Sequence, residues 1–265
     1  MLIAHLSDPH LRAQGHLYQG LIDSNAMFEA ALRQLDALDP QPDLVLLSGD
    51  VVDDGTAADY GTATRLLSRI RQPLVVIPGN HDEREAFRHC FRHHPYLTSS
   101  GPLHAAVGDH GPVRILGLDV TVPGAHHGAM DDVACAWLEE RLAEAPDRPT
   151  IVMMHQPPFD SGMAYIDAYH CRQGARLAGI VSRYPAVERI LCGHVHRHMQ
   201  LRFGGTLLVT APSTTTAIAL RLSRDAEPAS FIEPPAMLLH YWQQATGLIT
   251  HLVPIGTFPG PFDFF

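Results

Sequence analysis

Five apolar runs, LIAHLS, LVLLS, LVVIP, TIVMM and ERILC, each end at a short polar block, and this restricts the fold more than any other feature of the chain. The blocks are Asp8-Pro9-His10, Gly49-Asp50, Gly79-Asn80-His81-Asp82, His155 and Gly193-His194-Val195-His196. In a chain that alternates strands with helices, the ends of parallel strands gather along one sheet edge, where open sheets place their sites. Residues far apart in sequence are thereby expected to meet.

The pattern between the blocks supports an α/β reading. Strands are predicted over 2–7, 43–48, 73–78, 149–154 and 187–192. Helices are predicted over 23–38, 57–70, 131–144 and 171–183, with a short one after the third block. Phe28, Leu32 and Leu35 share one face of the first helix, and Asp23 is its expected N-cap. Residues 103–107 and 113–120 read as a strand pair. Past His196 two hairpins are expected, 199–210 around Gly204-Gly205 and 237–254 around Ala245-Thr246-Gly247. The segment 213–235 between them has few regular signals, as lids, binding loops and interface arms often do. The Phe-rich tail, 256–265, is expected to dock on a surface.

Length and charge narrow the function. At 265 residues the chain can bury a sizeable core. A formal charge of -9 argues against a nucleic-acid polymer as partner, which would want clustered cations. No apolar run approaches the ~20 residues a membrane span needs. With the first block directly after the first strand, no signal peptide is expected, and the four cysteines show no C-x-x-C spacing. Reduced thiols and cytoplasmic residence are the expectation.

The blocks themselves form a ligand inventory. Asp8 and His10 stand two apart where the chain leaves a strand, so both can turn toward one ion. Carboxylate oxygen together with imidazole nitrogen suits Fe, Mn, Co or Zn better than Mg or Ca. A single carboxylate can touch two cations, which makes Asp50 the expected bridge, while Asn80 adds an amide oxygen without adding charge. The expected sets are Asp8, His10, Asp50 and His196 for one divalent ion, and Asp50, Asn80, His155 and His194 for the other. Two such ions, two aspartates and a bridging hydroxide leave a net positive charge, which attracts an anion such as a phosphodiester. Paired ions about 3.5–4 Å apart can clamp the attacking and leaving oxygens and bring the pKa of bound water to around 7. His81 is left over for chemistry, to stabilise the phosphoryl oxygen or protonate the leaving alkoxide. Asp82 is expected to orient its imidazole.

At these residues the chain resembles the calcineurin-like metallophosphoesterase superfamily, whose pattern is D-x-H, G-D, G-N-H-[DE], a lone His and G-H-x-H. Here it stands as DPH, GD, GNHD, MMHQPP and GHVH, complete and in order. The stretches AHLSDPHLR, GLIDSNA, VLLSGDVVDDG, IPGNHDE and ILCGHVHRH resemble the class III cyclic-nucleotide phosphodiesterases and, more strongly, the bacterial glycerophosphodiesterases. The resemblance implies a four-layer αββα sandwich, a di-metal centre, hydrolysis of small phosphodiesters and a homo-oligomer. Residues 1–200 would be the catalytic core. Residues 201–265 would complete the sandwich and carry a cap or oligomerisation arm near 213–235.

Plainer readings apply elsewhere. His93-His94 and His126-His127 read as solvated loop pairs, His198 as a strand-surface residue and His5 as a core histidine. Asp53 and Asp54 read as turn residues, Asp23 and Asn25 as caps, and Arg12 as a phosphate contact or a solvated charge. Tyr18 and Tyr165 are possible pocket aromatics. Two other functions stay open: a phosphomonoesterase or protein phosphatase, and a non-catalytic scaffold of the same fold.

Overall fold

The computed structural model describes residues 1–263. The first half of the chain forms β1 (Leu2–Leu6), α1 (Ser24–Asp36), β2 (Leu44–Leu47), α2 (Ala57–Leu67), β3 (Leu74–Val76) and α3 (Arg84–Cys90). Then come β4 (Ala105–Val107), β5 (Arg114–Leu118), β6 (Gly128–Ala129), α4 (Asp132–Glu144) and β7 (Thr150–Met154). These are followed by α5 (Ala164–Asp167), β8 (Cys171–Arg172), α6 (Gly174–Val181), β9 (Val187–Cys192), β10 (Met199–Phe203) and β11 (Thr206–Thr210). The chain closes with β12 (Ala217–Ile218), β13 (Ser230–Phe231), β14 (Ala236–Gln243) and β15 (Gly247–Pro254).

Two large sheets result. One runs β15-β14-β1-β2-β3 and the other β10-β11-β9-β7-β5-β4. Strands β1, β2 and β3 are parallel, as are β5, β7, β9 and β11, while β4, β10, β14 and β15 join antiparallel at the margins.

The apolar runs are continuous because both faces of each sheet are covered. Side chains alternate across a strand, so Leu44 and Leu46 enter the layer between the sheets while Val45 and Leu47 face helices. In β7, Ile151 and Met153 point inward and Val152 and Met154 outward. Phe28, Leu32 and Leu35 of α1, Leu66 of α2 and Phe87 of α3 cover the first sheet. Leu138 and Leu142 of α4 and Leu177 and Ile180 of α6 cover the second. This is the four-layer αββα sandwich.

All five polar blocks follow β1, β2, β3, β7 and β9, so two strand edges rather than one converge on the site. Asp23 caps α1, accepting from Ala26 N–H.

Some expectations need correcting. Cys171 and Arg172 are not helical: they pair with β6, and the left-handed backbone of Gln173 (φ 62°) sets the start of α6 at Gly174. The 213–235 segment is mostly irregular, pinned by the short β12–β13 pair. The strands after residue 200 do complete both sheets. Of the tail, Phe258 and Phe262 are exposed, and Phe264 and Phe265 lie outside the described residues. None of the four cysteines is bridged, and no helix among the described residues is long and apolar enough to cross a membrane.

Candidate metal centre

Strand ends position the ligands, and the backbone there is unusual. β1 and β2 stay paired beyond their ends: the N–H groups of Asp8, His10 and Leu11 donate to the carbonyls of Gly49, Asp50 and Val51 (3.2, 3.1 and 3.0 Å). Among the described residues, seven non-glycines have a left-handed backbone. Five of them are candidate ligands: Asp8, His10, Asp50, His194 and His196 (φ 52°, 43°, 47°, 70° and 52°). Such conformations cost of order 1–3 kcal/mol each and persist where the surroundings over-determine them. Here they fan the side chains of successive strands into one volume.

Among the described residues three groups of three ligand atoms converge: Asp8, His10 and His196 in one, Asp50, His155 and His194 in another, and His10, Asp53 and His81 in a third that shares His10 with the first. Asp50 Oδ2 lies between the first two, 3.2 Å from His155 Nε2 and 3.7 Å from His10 Nε2. Asp8 Oδ1 is 3.4 Å from His196 Nε2. These two groups are drawn from the residues singled out in the sequence, and Asp50 lies at their junction.

Hydrogen bonding decides what the convergent atoms are. His155 Nδ1–H donates to the Ser48 carbonyl (2.7 Å) and His196 Nδ1–H to the Thr216 carbonyl (2.9 Å). A carbonyl only accepts, so the proton must sit on Nδ1 in each ring and Nε2 of the neutral ring is a bare lone pair. His10 Nδ1 faces the Asp53 carboxylate (3.3 Å), which gives it the same tautomer. Yet His10 Nε2 and His196 Nε2 face each other at 3.1 Å. Two lone pairs at that distance repel unless a cation draws both. Around the second group, His155 Nε2, His194 Nε2 and Asn80 Oδ1 are buried without a hydrogen-bond partner. Buried polar atoms are rarely left so, and the donor set fits divalent transition metals.

The electrostatics agree. Burial alone would raise the Asp8 and Asp50 carboxyls, but His196 and His155 hold Asp8, and His155 and His81 hold Asp50, below the ordinary range. Burial pushes His194 down to about 3, helped by the neighbouring His155, and leaves a neutral ring with one nitrogen lone pair able to ligate. Burial would also lower His155, but Asp50 outweighs it and raises the ring to about 9. Protons and cations thus compete for the same lone pairs, and metal binding must release protons.

His81 donates from Nδ1 to the Asp53 carbonyl (2.8 Å), with an Asp53 carboxylate oxygen at 3.4 Å. That leaves Nε2 for the cleft. Burial lowers this imidazole, but Asp50 and Asp53 outweigh it and raise it to about 10. The expected contact from Asp82 is not made. Its carboxylate accepts from the backbone N–H of Val51, Val52 and Gly79 and from the Tyr60 hydroxyl, tying the second and third blocks together. Burial, then repulsion from Asp50, raises it to about 7.

Other residues also depart from expectation. Asp53 is no simple turn residue, since it bonds His10, His81 and Arg12. Arg12 is occupied by Asp53 and Asp54 (both 2.6 Å), so its charge is matched within the protein. Asn25 holds the Arg12 backbone at both N–H and carbonyl (3.1 and 2.9 Å). His126 is exposed in a loop, as expected, and also reaches the cleft: its Nδ1 is 3.3 Å from Asn80 Nδ2 and its ring is 5.9 Å from that of His81. Nothing local in the sequence marks it. His198 is exposed, but it lies just before β10 rather than on a strand, with Nδ1 3.2 Å from the Thr210 carbonyl.

His10, Asp50, Asn80, His81, His126, His194 and His196 open onto a cleft of about 520 Å³. Tyr18, Tyr165, Ile166 and Tyr169 line it as well, together with Ile218, Pro228, Ala229 and Ser230 of the 213–235 segment, whose Ala219 carbonyl accepts from the Tyr165 hydroxyl. Among the described lining residues none is Lys or Arg.

Comparison with known proteins agrees with this geometry. The chain is 33% identical to a probable glycerophosphodiester phosphodiesterase of Arcobacter nitrofigilis, over 100% of this chain and 97% of that protein. It is 37% identical to a glycerophosphodiester phosphodiesterase of Enterobacter lignolyticus, over 91% of this chain and 86% of the relative. A 3',5'-cyclic adenosine monophosphate phosphodiesterase of Escherichia coli K12 shares 31% identity over 80% of this chain and 75% of its own. A dimetal phosphatase from Danio rerio has the same fold, with a TM-score of 0.64 at 11% identity, covering 97% of this chain and 99% of that one. The model of the calcineurin-like phosphoesterases matches residues 1–198, a span that takes in every one of the five blocks. The chain belongs to the calcineurin-like phosphoesterase family.

Proposed function

We propose that the protein hydrolyses small phosphodiesters at a binuclear metal centre, with glycerophosphodiesters as the favoured class and 3',5'-cyclic nucleotides as the second. The observation that carries the reading is the convergence of bare His10, His196, His155 and His194 nitrogens around Asp8 and Asp50. Asp8, His10, Asp50 and His196 would hold one ion, and Asp50, Asn80, His155 and His194 the other. When bound, the pair supplies Lewis acidity, a hydroxide nucleophile at neutral pH and a clamp on the phosphoryl oxygens. Fe, Mn, Zn and Co all suit the donors.

The protein's own residues do the rest. Asp53 fixes the His81 ring through Nδ1, so Nε2 is the nitrogen that can give its proton to a leaving alkoxide. An alkoxide is a poor leaving group, and that proton matters most for it. Without Lys or Arg among its described lining residues, the cleft suits the single charge of a diester better than the double charge of a monoester. The aromatic and apolar rim offers a seat for the second ester group. The glycerophosphodiesterase relatives share more identity with this chain, 33% and 37%, than the cyclic AMP phosphodiesterase does at 31%, and this favours their substrate class. Self-association through the 213–235 segment, whose Leu220, Leu222, Phe231 and Ile232 are exposed, belongs to the same proposal.

The test is hydrolysis of bis-(p-nitrophenyl) phosphate against p-nitrophenyl phosphate by manganese- or zinc-reconstituted protein. A diester rate at or above the monoester rate is expected. Monoester turnover without diester turnover would overturn the proposal. A panel of glycerophosphoethanolamine, glycerophosphocholine and cyclic AMP then ranks the natural classes.

A further inference from the structure

Two buried histidines lie outside the candidate metal centre and still connect to it. His5 of β1 and His240 of β14 are fully buried. Strand parity places both in the layer between the sheets, where Ile3 and Leu238 also point. His240 pairs with Ile3 in the register and so stands diagonally from His5, within reach of it. Burial pushes His5 down to about 3 and His240 well below the ordinary imidazole value. Each ring is therefore neutral, with one donor and one acceptor nitrogen.

The contacts form an unbroken chain. Thr250 Oγ1 lies 2.9 Å from His240 Nδ1, and His240 Nε2 lies 3.4 Å from His5 Nδ1. His5 Nε2 lies 2.8 Å from Ser48 Oγ, which lies 2.7 Å from Ser7 Oγ, and the Ser7 hydroxyl donates to Asp8 Oδ2. The direction of every bond follows from the last one. An ionised carboxylate only accepts, so Ser7 must donate to Asp8 and accept from Ser48. Ser48 must then accept from His5 Nε2–H, His5 Nδ1 from His240 Nε2–H, and His240 Nδ1 from the Thr250 hydroxyl. All five donors point toward Asp8. Hydrogen bonds aligned head to tail polarise one another in a low-dielectric interior.

We propose that this chain is a positioning device: His5 and His240 hold the Asp8 carboxylate with Oδ2 turned to Ser7 and Oδ1 turned to the metal. Asp8 Oδ1 is indeed the oxygen nearest His196 Nε2 (3.4 Å). The C-terminal strand pair, which lies beyond the residues of the family match, thereby contributes to the metal centre. The inference rests on the proposed role of Asp8 as a ligand.

Ring-nitrogen NMR on the full chain, labelled with ¹⁵N at histidine and loaded with zinc, tests it. In the wild type, His5 and His240 are expected to carry their proton on Nε2 and to stay neutral from pH 5.5 to 8. In His240→Phe the His5 Nδ1 resonance should move toward that of an acceptor without a donor. Zinc should bind the first site roughly 3- to 10-fold more weakly, below the 10- to 100-fold typical of groups that touch a ligand directly. His240→Gln, which keeps a donor and an acceptor, should recover part of the loss. A purely structural histidine pair would lower the melting temperature and leave zinc affinity unchanged, and that result overturns the proposal. So does a proton on His5 Nδ1 in the wild type, a readout that holds even if His240→Phe does not fold. Wild-type protein that takes up no zinc would refute the metal centre instead.

Discussion

Replacing Gly49 with alanine probes how tightly the blocks are built around the ligands. Gly49 has φ +102°, a conformation L side chains rarely adopt. A Cβ there would meet His155 Nδ1 at 2.5 Å, His155 Cγ at 2.8 Å and the Gly79 Cα at 2.9 Å, against 3.4 Å or more for ordinary contact. Neither neighbour can yield freely, because the His155 ring is held by the Ser48 carbonyl and Gly79 is backbone. Backbone strain of about 1–3 kcal/mol and overpacking of about 1–3 kcal/mol add to roughly 2–6 kcal/mol. At about 2–4 °C per kcal/mol for a chain near this size, the melting temperature should fall by roughly 5–20 °C. The displaced His155 ring should also weaken zinc binding roughly tenfold. Scanning calorimetry and zinc titration read the two effects separately. Gly61→Ala is the control: it lies in α2 with nothing within 4 Å of its Cβ position, and should gain up to about 1 kcal/mol. A Gly49→Ala protein that melts like Gly61→Ala and binds zinc like the wild type would refute the reasoning.

Three further outcomes are expected. Asn80→Ala should lose occupancy of the second ion, measured by metal analysis after dialysis, while circular dichroism stays unchanged; full occupancy would show that Asn80 Oδ1 is not a ligand. His81→Ala should slow diesters with alkoxide leaving groups more than activated aryl diesters, and equal loss would leave phosphoryl stabilisation as its role. The contribution of His5 to stability should fall on acidification, against the opposite contributions of the raised His81, His155 and Asp82. His5 protonates near its ordinary value of 6.5 when unfolded but stays neutral in the fold until about 3, so the contribution is complete above 6.5 and is lost as pH falls through that window. The slope is about 1.4 kcal/mol per pH unit for this group, with His240 acting in the same direction. Urea titrations of wild type and His5→Gln from pH 7.5 to 5.5 measure it, and parallel curves would contradict it.

The site was legible where local pattern and local structure coincide. Apolar runs mark strands buried on both faces, and a polar block at a strand end marks the sheet edge. Those two facts bring Asp8, His10, Asp50, Asn80, His155, His194 and His196 together across nearly two hundred residues of chain. What the pattern does not carry is side-chain partnership across elements. Asp53 sits three residues past Asp50, yet its bond to His81 depends on how the second and third blocks pack. Asp82 adjoins His81 but turns to backbone N–H groups, because a buried carboxylate takes the donors that surround it. His126 arrives from a loop without periodicity, and His240 from a strand that reaches β1 only through the sheet register. The left-handed backbone of five candidate ligands is only weakly signalled by residue type, since Asp and His are enriched in that region yet enter it at few positions.

The most direct test of the binuclear account is a zinc or manganese titration of chelator-stripped protein, followed in parallel by metal binding and bis-(p-nitrophenyl) phosphate hydrolysis. Two ions should bind per chain, with hydrolysis appearing as the second site fills and both lost in Asp50→Asn, which removes the charge of the bridging carboxylate. Saturation at one ion, or diester hydrolysis that survives metal removal, would contradict it.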